Sequence, residues 1–251
     1  MKNMNRREFA GMAAAALAVT VVPRHVLGGP GFVAPSDKIN LALIGSGTQQ
    51  LNELTRLITD ERVQITSIAD PNKEPVFYRA WSPDAGLRRQ IREMIGDSRW
   101  YEGTSITAGR DCGHDFVNKY YARKTGNAGY NGCSAYADFR EMLEKEQNID
   151  AVKIIVPDHL YPTLAIAAMK KGKDVVMHKP IGNRIRETRA TLDMVRQHPE
   201  LTTHLLAWSS NERYAQVKQW IDAGAIGTLR EVHNWSYRPV WQQWQSYFTE
   251  Q

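Results

Sequence analysis

The chain has only two cysteines in 251 residues, Cys112 and Cys133, 21 positions apart. It contains no C-x-x-C pair, and its seven histidines are scattered, with no H-x-x-H or H-E-x-x-H pattern. The sequence therefore predicts no structural or catalytic metal. Two thiols leave two readings open: a disulfide, if the chain is exported to an oxidising compartment, or two separate thiols. A large surplus of one charge is also lacking. The net charge is +5, and residues 1–35 carry +3 of it on Lys2, Arg6, Arg7 and Arg24 against Glu8. The remainder holds 28 basic and 26 acidic residues. With no basic face, the sequence has no nucleic-acid footprint. Beyond the first residues no apolar run is long enough to span a bilayer. What is present, 42% hydrophobic and 24% charged residues, is the composition of a globular protein of one large domain or two small ones.

The front of the chain has a different character. Asn5-Arg6-Arg7-Glu8-Phe9 precedes GMAAAALAVTVV, an apolar run of 12 residues. The run is too short for a relaxed membrane span, and charge followed by apolar stretch is the order of an export signal. Paired arginines before a phenylalanine resemble a twin-arginine signal, an address read by the export machinery. The expected location is therefore periplasmic or exported. No cysteine follows the run, which argues against a lipoprotein anchor, and no clean cleavage site precedes Ser36, so an uncleaved membrane tether stays open. The Gly- and Pro-rich stretch Pro23–Ser36 reads as a linker, which sets a first boundary at residue 35.

An alternation then begins. Ile39–Ile44 is a short apolar strand, and Gln50–Thr59 has helical spacing. Val63–Ala69 is a second strand, ending at Asp70-Pro71. Residues 84–95 have a helical apolar stripe, and residues 97–114 are Gly-rich and irregular. Helices follow at Asp115–Arg123 and Ala137–Gln147, then a strand at Ala151–Val156. Leu160–Lys171 is a helix stopped by Gly172. Asp174–Met177 is a strand, Arg184–Gln197 a helix and Thr203–Ala207 a strand. Short, fully apolar strands alternating with helices predict βαβ units and a parallel sheet covered on both faces.

In such sheets ligands bind beyond the carboxyl ends of the strands. The first strand is followed there by GSGTQQ, residues 45–50. A dinucleotide fingerprint reads G-x-G-x-x-G, and the third glycine is here Gln50. Gly45 permits a tight turn, and Gly47 lets the backbone approach a pyrophosphate. Thr48 and Gln49 open the helix whose positive end would hold it. Asp70, 23 positions past Gly47, can accept hydrogen bonds from both adenosine ribose hydroxyls, and its charge would repel a 2′-phosphate. NAD is thus expected over NADP. Gln50 should push the helix slightly outward without removing the phosphate donors. A doubly wound domain that binds no nucleotide is the rival reading of these residues.

Later segments add a resemblance. INLALIGSGTQ, GCSAYADFREML, IDAVKIIVPDHLYPTLAIAAMKKGKDVVMHKP and IDAGAIGTLREVHNW together resemble the Gfo/Idh/MocA oxidoreductases, named after glucose–fructose oxidoreductase and inositol dehydrogenase. The resemblance implies an α/β fold: a Rossmann doubly wound parallel sheet over residues 36–208, then an α+β domain beginning at 209–251 that looks incomplete. It implies that Lys179 and Pro180 match the family's Glu-Lys-Pro motif, with Lys179 near the nicotinamide and substrate. His178 stands at the Glu position and is a catalytic candidate beside Lys179: it replaces the carboxylate as a ribose contact, marks a subgroup with altered chemistry, or is a structural histidine. Pro157 and His159 would line the nicotinamide side, with Tyr161 where a second histidine is often found and Asp158 as a helix N-cap.

The same resemblance implies NAD-dependent hydride transfer on a sugar or cyclitol-like alcohol, with a small carbohydrate as partner and substrate. Two alternatives are redox-assisted glycoside cleavage and a non-catalytic nucleotide-binding fragment. It leaves open a homo-oligomer through the sheet domain. After Ala207 the sequence predicts one helix, Ala215–Ala223, stopped at Gly224, and one strand, Leu229–Ser236. A single strand with so much apolar surface is expected to need further sheet.

Overall fold

The computed structural model describes residues 33–74, 85–103, 107–206 and 212–233. The predicted export signal, the boundary at 208 and residues 234–251 lie outside these residues. The chain divides into two compact units, Met1–Lys38 and Ile39–Gln251. In the first, the described residues hold one 3-10 turn, Pro35–Asp37. The second carries the sheet.

Its strands are β1 (Ile39–Ile44), β2 (Val63–Ala69), β3 (Ser134–Tyr136), β4 (Ala151–Ile154), β5 (Asp174–His178) and β6 (Thr203–Leu206). They form one six-stranded sheet in the order β3-β2-β1-β4-β5-β6, with every neighbouring pair parallel. This is the Rossmann order, and the strand sequence reverses between β1 and β4, where ligands of such sheets bind. The helices are α1 (Thr48–Leu57), α2 (Ala85–Ile95), α3 (Arg110–Thr125), α4 (Phe139–Lys145), α5 (Tyr161–Lys170), α6 (Ile185–Gln197) and α7 (Glu212–Asp222).

Alternate residues of β1 explain why its buried part, Leu41–Ile44, is apolar throughout. Leu41 and Leu43 join a core with Leu51 and Leu54 of α1, Ile91 of α2 and Phe116 of α3. Ala42 and Ile44 join a second core with Met142 of α4 and Leu164 and Ala168 of α5. Successive side chains of a strand point to opposite faces, so a strand covered on both sides needs apolar residues at every position.

Several expectations are corrected. The irregular stretch at 97–114 and the helix from Asp115 give way to α3, which starts at Arg110 directly after Gly109. β3 was not expected; at three residues it is too short to show a period. The register of β1 and β2 shifts between Leu41 and Ala42, and the Ile65 amide beside the irregularity donates to the Tyr121 hydroxyl of α3 over 3.0 Å. Burial pushes that hydroxyl's ionisation far up. Cys112 and Cys133 are both buried and not joined by a disulfide, so the disulfide reading is not the one the structure adopts. Residues 229–233, the described part of the expected last strand, form no strand. The glycine stops hold: Gly172 and Gly224 take left-handed φ of 69° and 72° just past α5 and α7.

Candidate functional site

The register brings the expected site residues to one edge. Ile44 pairs with both Ala69 and Ile154, and Ile154 pairs with Met177. Gly45, Asp70, the Ile155–Pro157 turn and His178-Lys179 therefore leave adjacent strand ends on the same side of the sheet.

Gly45 has φ 93°, and a Cβ there would run into the Ile155 carbonyl of the neighbouring turn. Only glycine fits this left-handed position so close to another backbone. Gly47 has an ordinary φ of −75° at the N-cap of α1, and no side chain caps the helix. The first-turn amides of a helix have no intrahelical acceptors, so this end can receive an anion. Thr48 turns its hydroxyl to the Thr107 carbonyl at 3.3 Å, and Gln49 donates its side-chain amide to Glu53 at 2.8 Å.

Asp70 is 2% exposed. Its Oδ2 accepts the Ser46 amide at 2.7 Å and its Oδ1 the Asn72 amide at 2.8 Å. The carboxylate thus shapes the loop itself, and a ribose would have to share oxygens already bonded to the backbone. A second brace comes from the start of α3. The Ser46 hydroxyl donates to the Gly109 carbonyl at 2.9 Å, the Gly109 amide to the Ser46 carbonyl at 2.8 Å, and Arg110 Nη1 to the Asp70 carbonyl at 2.8 Å. Gln50 is 1% exposed, and neither its Oε1 nor its Nε2 has a hydrogen-bond partner.

On the other side of the switch point, Lys179 and Pro157 to Leu160 are exposed, and the Lys179–Pro180 peptide is cis. Asp158 does not cap α5: it opens a 3-10 turn, Asp158–Leu160, and the N-cap of α5 is Leu160 with no side-chain bond. Tyr161 is a core residue, 1% exposed, whose hydroxyl receives the Val156 amide at 3.4 Å.

Sequence reasoning missed one cluster. Lys153, in the middle of apolar β4, is 6% exposed and reaches Glu53 Oε2 of α1 at 2.5 Å. His178 Nε2 lies 3.3 Å from Glu53 Oε1. Burial pushes the Lys153 ammonium down and Glu53 pulls it partly back. Burial pushes Glu53 up, but hydrogen bonds from Lys153 and Gln49 outweigh it and hold the carboxyl below its usual range. Lys153 and Glu53 form a largely buried pair of opposite charge. Its signal was in the sequence: a lysine inside AVKIIV, a strand buried on both faces, has to find a countercharge.

The pyrophosphate end of a dinucleotide fits these residues: a tight glycine turn, an uncapped helix start and a switch point. Residues 114–205 match the Gfo/Idh/MocA family model, an oxidoreductase family with an NAD-binding Rossmann fold. A dTDP-3,4-didehydro-2,6-dideoxy-alpha-D-glucose 3-reductase of Streptomyces violaceoruber is 31% identical over 101 residues, 40% of this chain and 29% of that protein. An NADP(+) scyllo-inositol 2-dehydrogenase of Bacillus subtilis is 23% identical over 145 residues, 56% of this chain and 43% of the relative. Among solved structures, scyllo-inositol dehydrogenase from Lactobacillus casei with bound NAD(H) and scyllo-inositol aligns with TM-score 0.48 at 19% identity, over 76% of this chain and 42% of the other. The chain thus spans less than half the length of the curated relatives it matches. The stretch similar to that family's model, from within α3 into β6, lies in the Rossmann-ordered parallel sheet described above.

Proposed function

We propose that the protein is an NAD-dependent oxidoreductase acting on a sugar or cyclitol-like alcohol, exported through a twin-arginine signal. The observation that carries the catalytic reading is the shared strand-end edge. It sets the braced Gly45–Thr48 turn and the exposed Lys179 on either side of the switch point between β1 and β4.

Gly45 and Gly47 admit the pyrophosphate, and the first-turn amides at Thr48 and Gln49 donate to it. Asp70 keeps a negative charge at the end of β2, where a 2′-phosphate would meet repulsion, so NAD is favoured over NADP. Pro157 and His159 border the nicotinamide side. A nicotinamide bound there would supply the hydride acceptor for the carbinol carbon. Lys179 hydrogen-bonds the hydroxyl on that carbon, takes part in removing its proton and favours the alkoxide-like charge that develops.

Calorimetry on the full chain tests the cofactor claim, with tighter NAD than NADP binding expected. A panel of sugars and inositols, followed by NADH formation, tests the substrate claim. Where turnover is found, Lys179→Ala should lower kcat by roughly 10²–10⁴-fold, the scale for losing a positioned proton-transfer group. Full activity in that variant would remove Lys179 from its role. Redox-assisted glycoside cleavage would use the same residues, and free sugar without net NADH is its product signature.

A further inference from the structure

We propose that Glu53 is a positioning residue: clamped by Lys153 and Gln49, its carboxylate fixes the His178 ring through Nε2, and with the ring the adjoining Lys179. The proposal rests on the role given to Lys179 above.

Four side chains on three elements meet here. Glu53 Oε2 receives Lys153 at 2.5 Å, and Glu53 Oε1 receives Gln49 Nε2 at 2.8 Å. His178 Nε2 stands 3.3 Å from the same Oε1. Each carboxylate oxygen is therefore engaged, and the group cannot turn without giving up a charge-assisted bond in a partly desolvated place. A held carboxylate is a fixed reference point for whatever packs on it.

His178 is 8% exposed at the last position of β5. A carboxylate accepts hydrogens only, so a favourable contact puts the ring hydrogen on Nε2 and leaves Nδ1 as an acceptor when the ring is neutral. The charged groups around the ring are Glu53 from α1, Lys153 from β4, Asp158 from the turn after β4 and Lys179 beside it in the chain. Burial lowers the ring's proton affinity, Glu53 opposes this, and the two lysines reinforce it. Burial thus disfavours the charged ring, and Lys153 faces Glu53 as its countercharge.

The cluster also joins the two halves of the site. Glu53 lies on the helix that starts at Gly47, one turn beyond Gln49, while His178 directly precedes Lys179. A buried ion pair is weak evidence for stability, since apolar residues of similar volume do as well. Its bonds between α1 and β4, with the His178 ring of β5 held 3.3 Å from Glu53, instead favour one geometry between the phosphate turn and the lysine.

NMR on the full chain tests this. With ¹⁵N-labelled histidine, His178 should show the Nε2–H tautomer and titrate below its ordinary range. Glu53→Gln should mix the tautomers, because an amide both donates and accepts, and should lower the titration midpoint further, because the favouring carboxylate is gone. With ¹³C-labelled lysine, the Lys179 side-chain signal, assigned through Lys179→Arg, should shift or broaden in the same variant. If Glu53→Gln does not unfold cooperatively, the charge-neutral pair Glu53→Gln with Lys153→Met is used, and the same two changes are expected. An unchanged His178 tautomer and midpoint would overturn the proposal, as would an unmoved Lys179 signal. Failure of NADH to bind the unmodified chain would count against the proposed function only, since both signals are read without cofactor.

Discussion

The backbone amide of Ser46 donates to the carboxylate of Asp70 over 2.7 Å, tying the turn after β1 to the end of β2. One carboxylate thus shapes the turn and supplies negative charge where an adenosine ribose would sit. Asp70→Asn keeps an acceptor but removes the charge. It should cost about 1.5–3 kcal/mol, the range for hydrogen bonds to a charged group. It should also narrow the preference for NAD over NADP. Urea unfolding reads the first effect and paired calorimetric titrations the second. A preference as wide as before would detach Asp70 from cofactor choice.

Gly45 faces two penalties on substitution, its φ of 93° and the Ile155 carbonyl beside it. Gly45→Ala should therefore destabilise by at least about 1–3 kcal/mol, the scale of one strained backbone position. NADH affinity should fall as well, because the turn must shift away from β4. A fluorescence titration with NADH and a urea melt check this together, and unaltered values in both would show the turn is more pliable than its geometry implies.

Gln50 offers the reverse case. Both polar atoms of its side chain are buried without a partner. An unpaired buried amide costs about 1–3 kcal/mol. Gln50→Leu, similar in size and apolar, should raise the urea midpoint while leaving NAD affinity within roughly tenfold, since the phosphate donors are backbone groups. A lowered midpoint would mean the amide has a partner in solution, such as an internal water.

His178 sets a pH dependence whose sign follows from burial. The ring is held below its ordinary 6.5, chiefly by burial. As pH falls through 6.5 the unfolded chain takes up this proton before the folded chain does, so stability drops until the folded ring titrates. Above 6.5 the contribution is complete. Glu53 is held below its ordinary 4.5, so its contribution is present above that value and lost beneath it. His178→Asn should flatten the upper window and leave the lower one. Urea midpoints taken from about pH 8 down to pH 4 would reveal it, and a variant with the same slope below 6.5 would assign that slope elsewhere.

Much of this architecture could be read from local pattern. Leu41–Ile44 is apolar at every position because both faces of the sheet are covered, and Ala151–Ile154 is apolar apart from Lys153. Gly172 marks the end of α5 because only a residue at ease with positive φ can leave the helix that way. Gly45 marks the turn for the same reason. Local pattern failed where an element is too short or mixed to show a period. β3 is three residues long. α3 begins on Arg-Asp-Cys-Gly, and a Cβ on its Gly113 would clash with Ser46, so the glycine there allows close packing rather than a break.

What the chain order could establish was therefore the strands, the helices, the glycine turns and the edge where a ligand would bind, since each depends on residues a few positions apart. What required the folded molecule was the set of partners for the buried charges. Lys153 and Glu53 are 100 residues apart in the chain. The identity of a lysine in an apolar strand demands a countercharge, but only the fold, which brings Glu53 of α1 beside Lys153 and His178, selects that countercharge and with it the environment of His178. Hydrophobic periodicity is local and repeats along the chain, whereas charge pairing depends on distance in space.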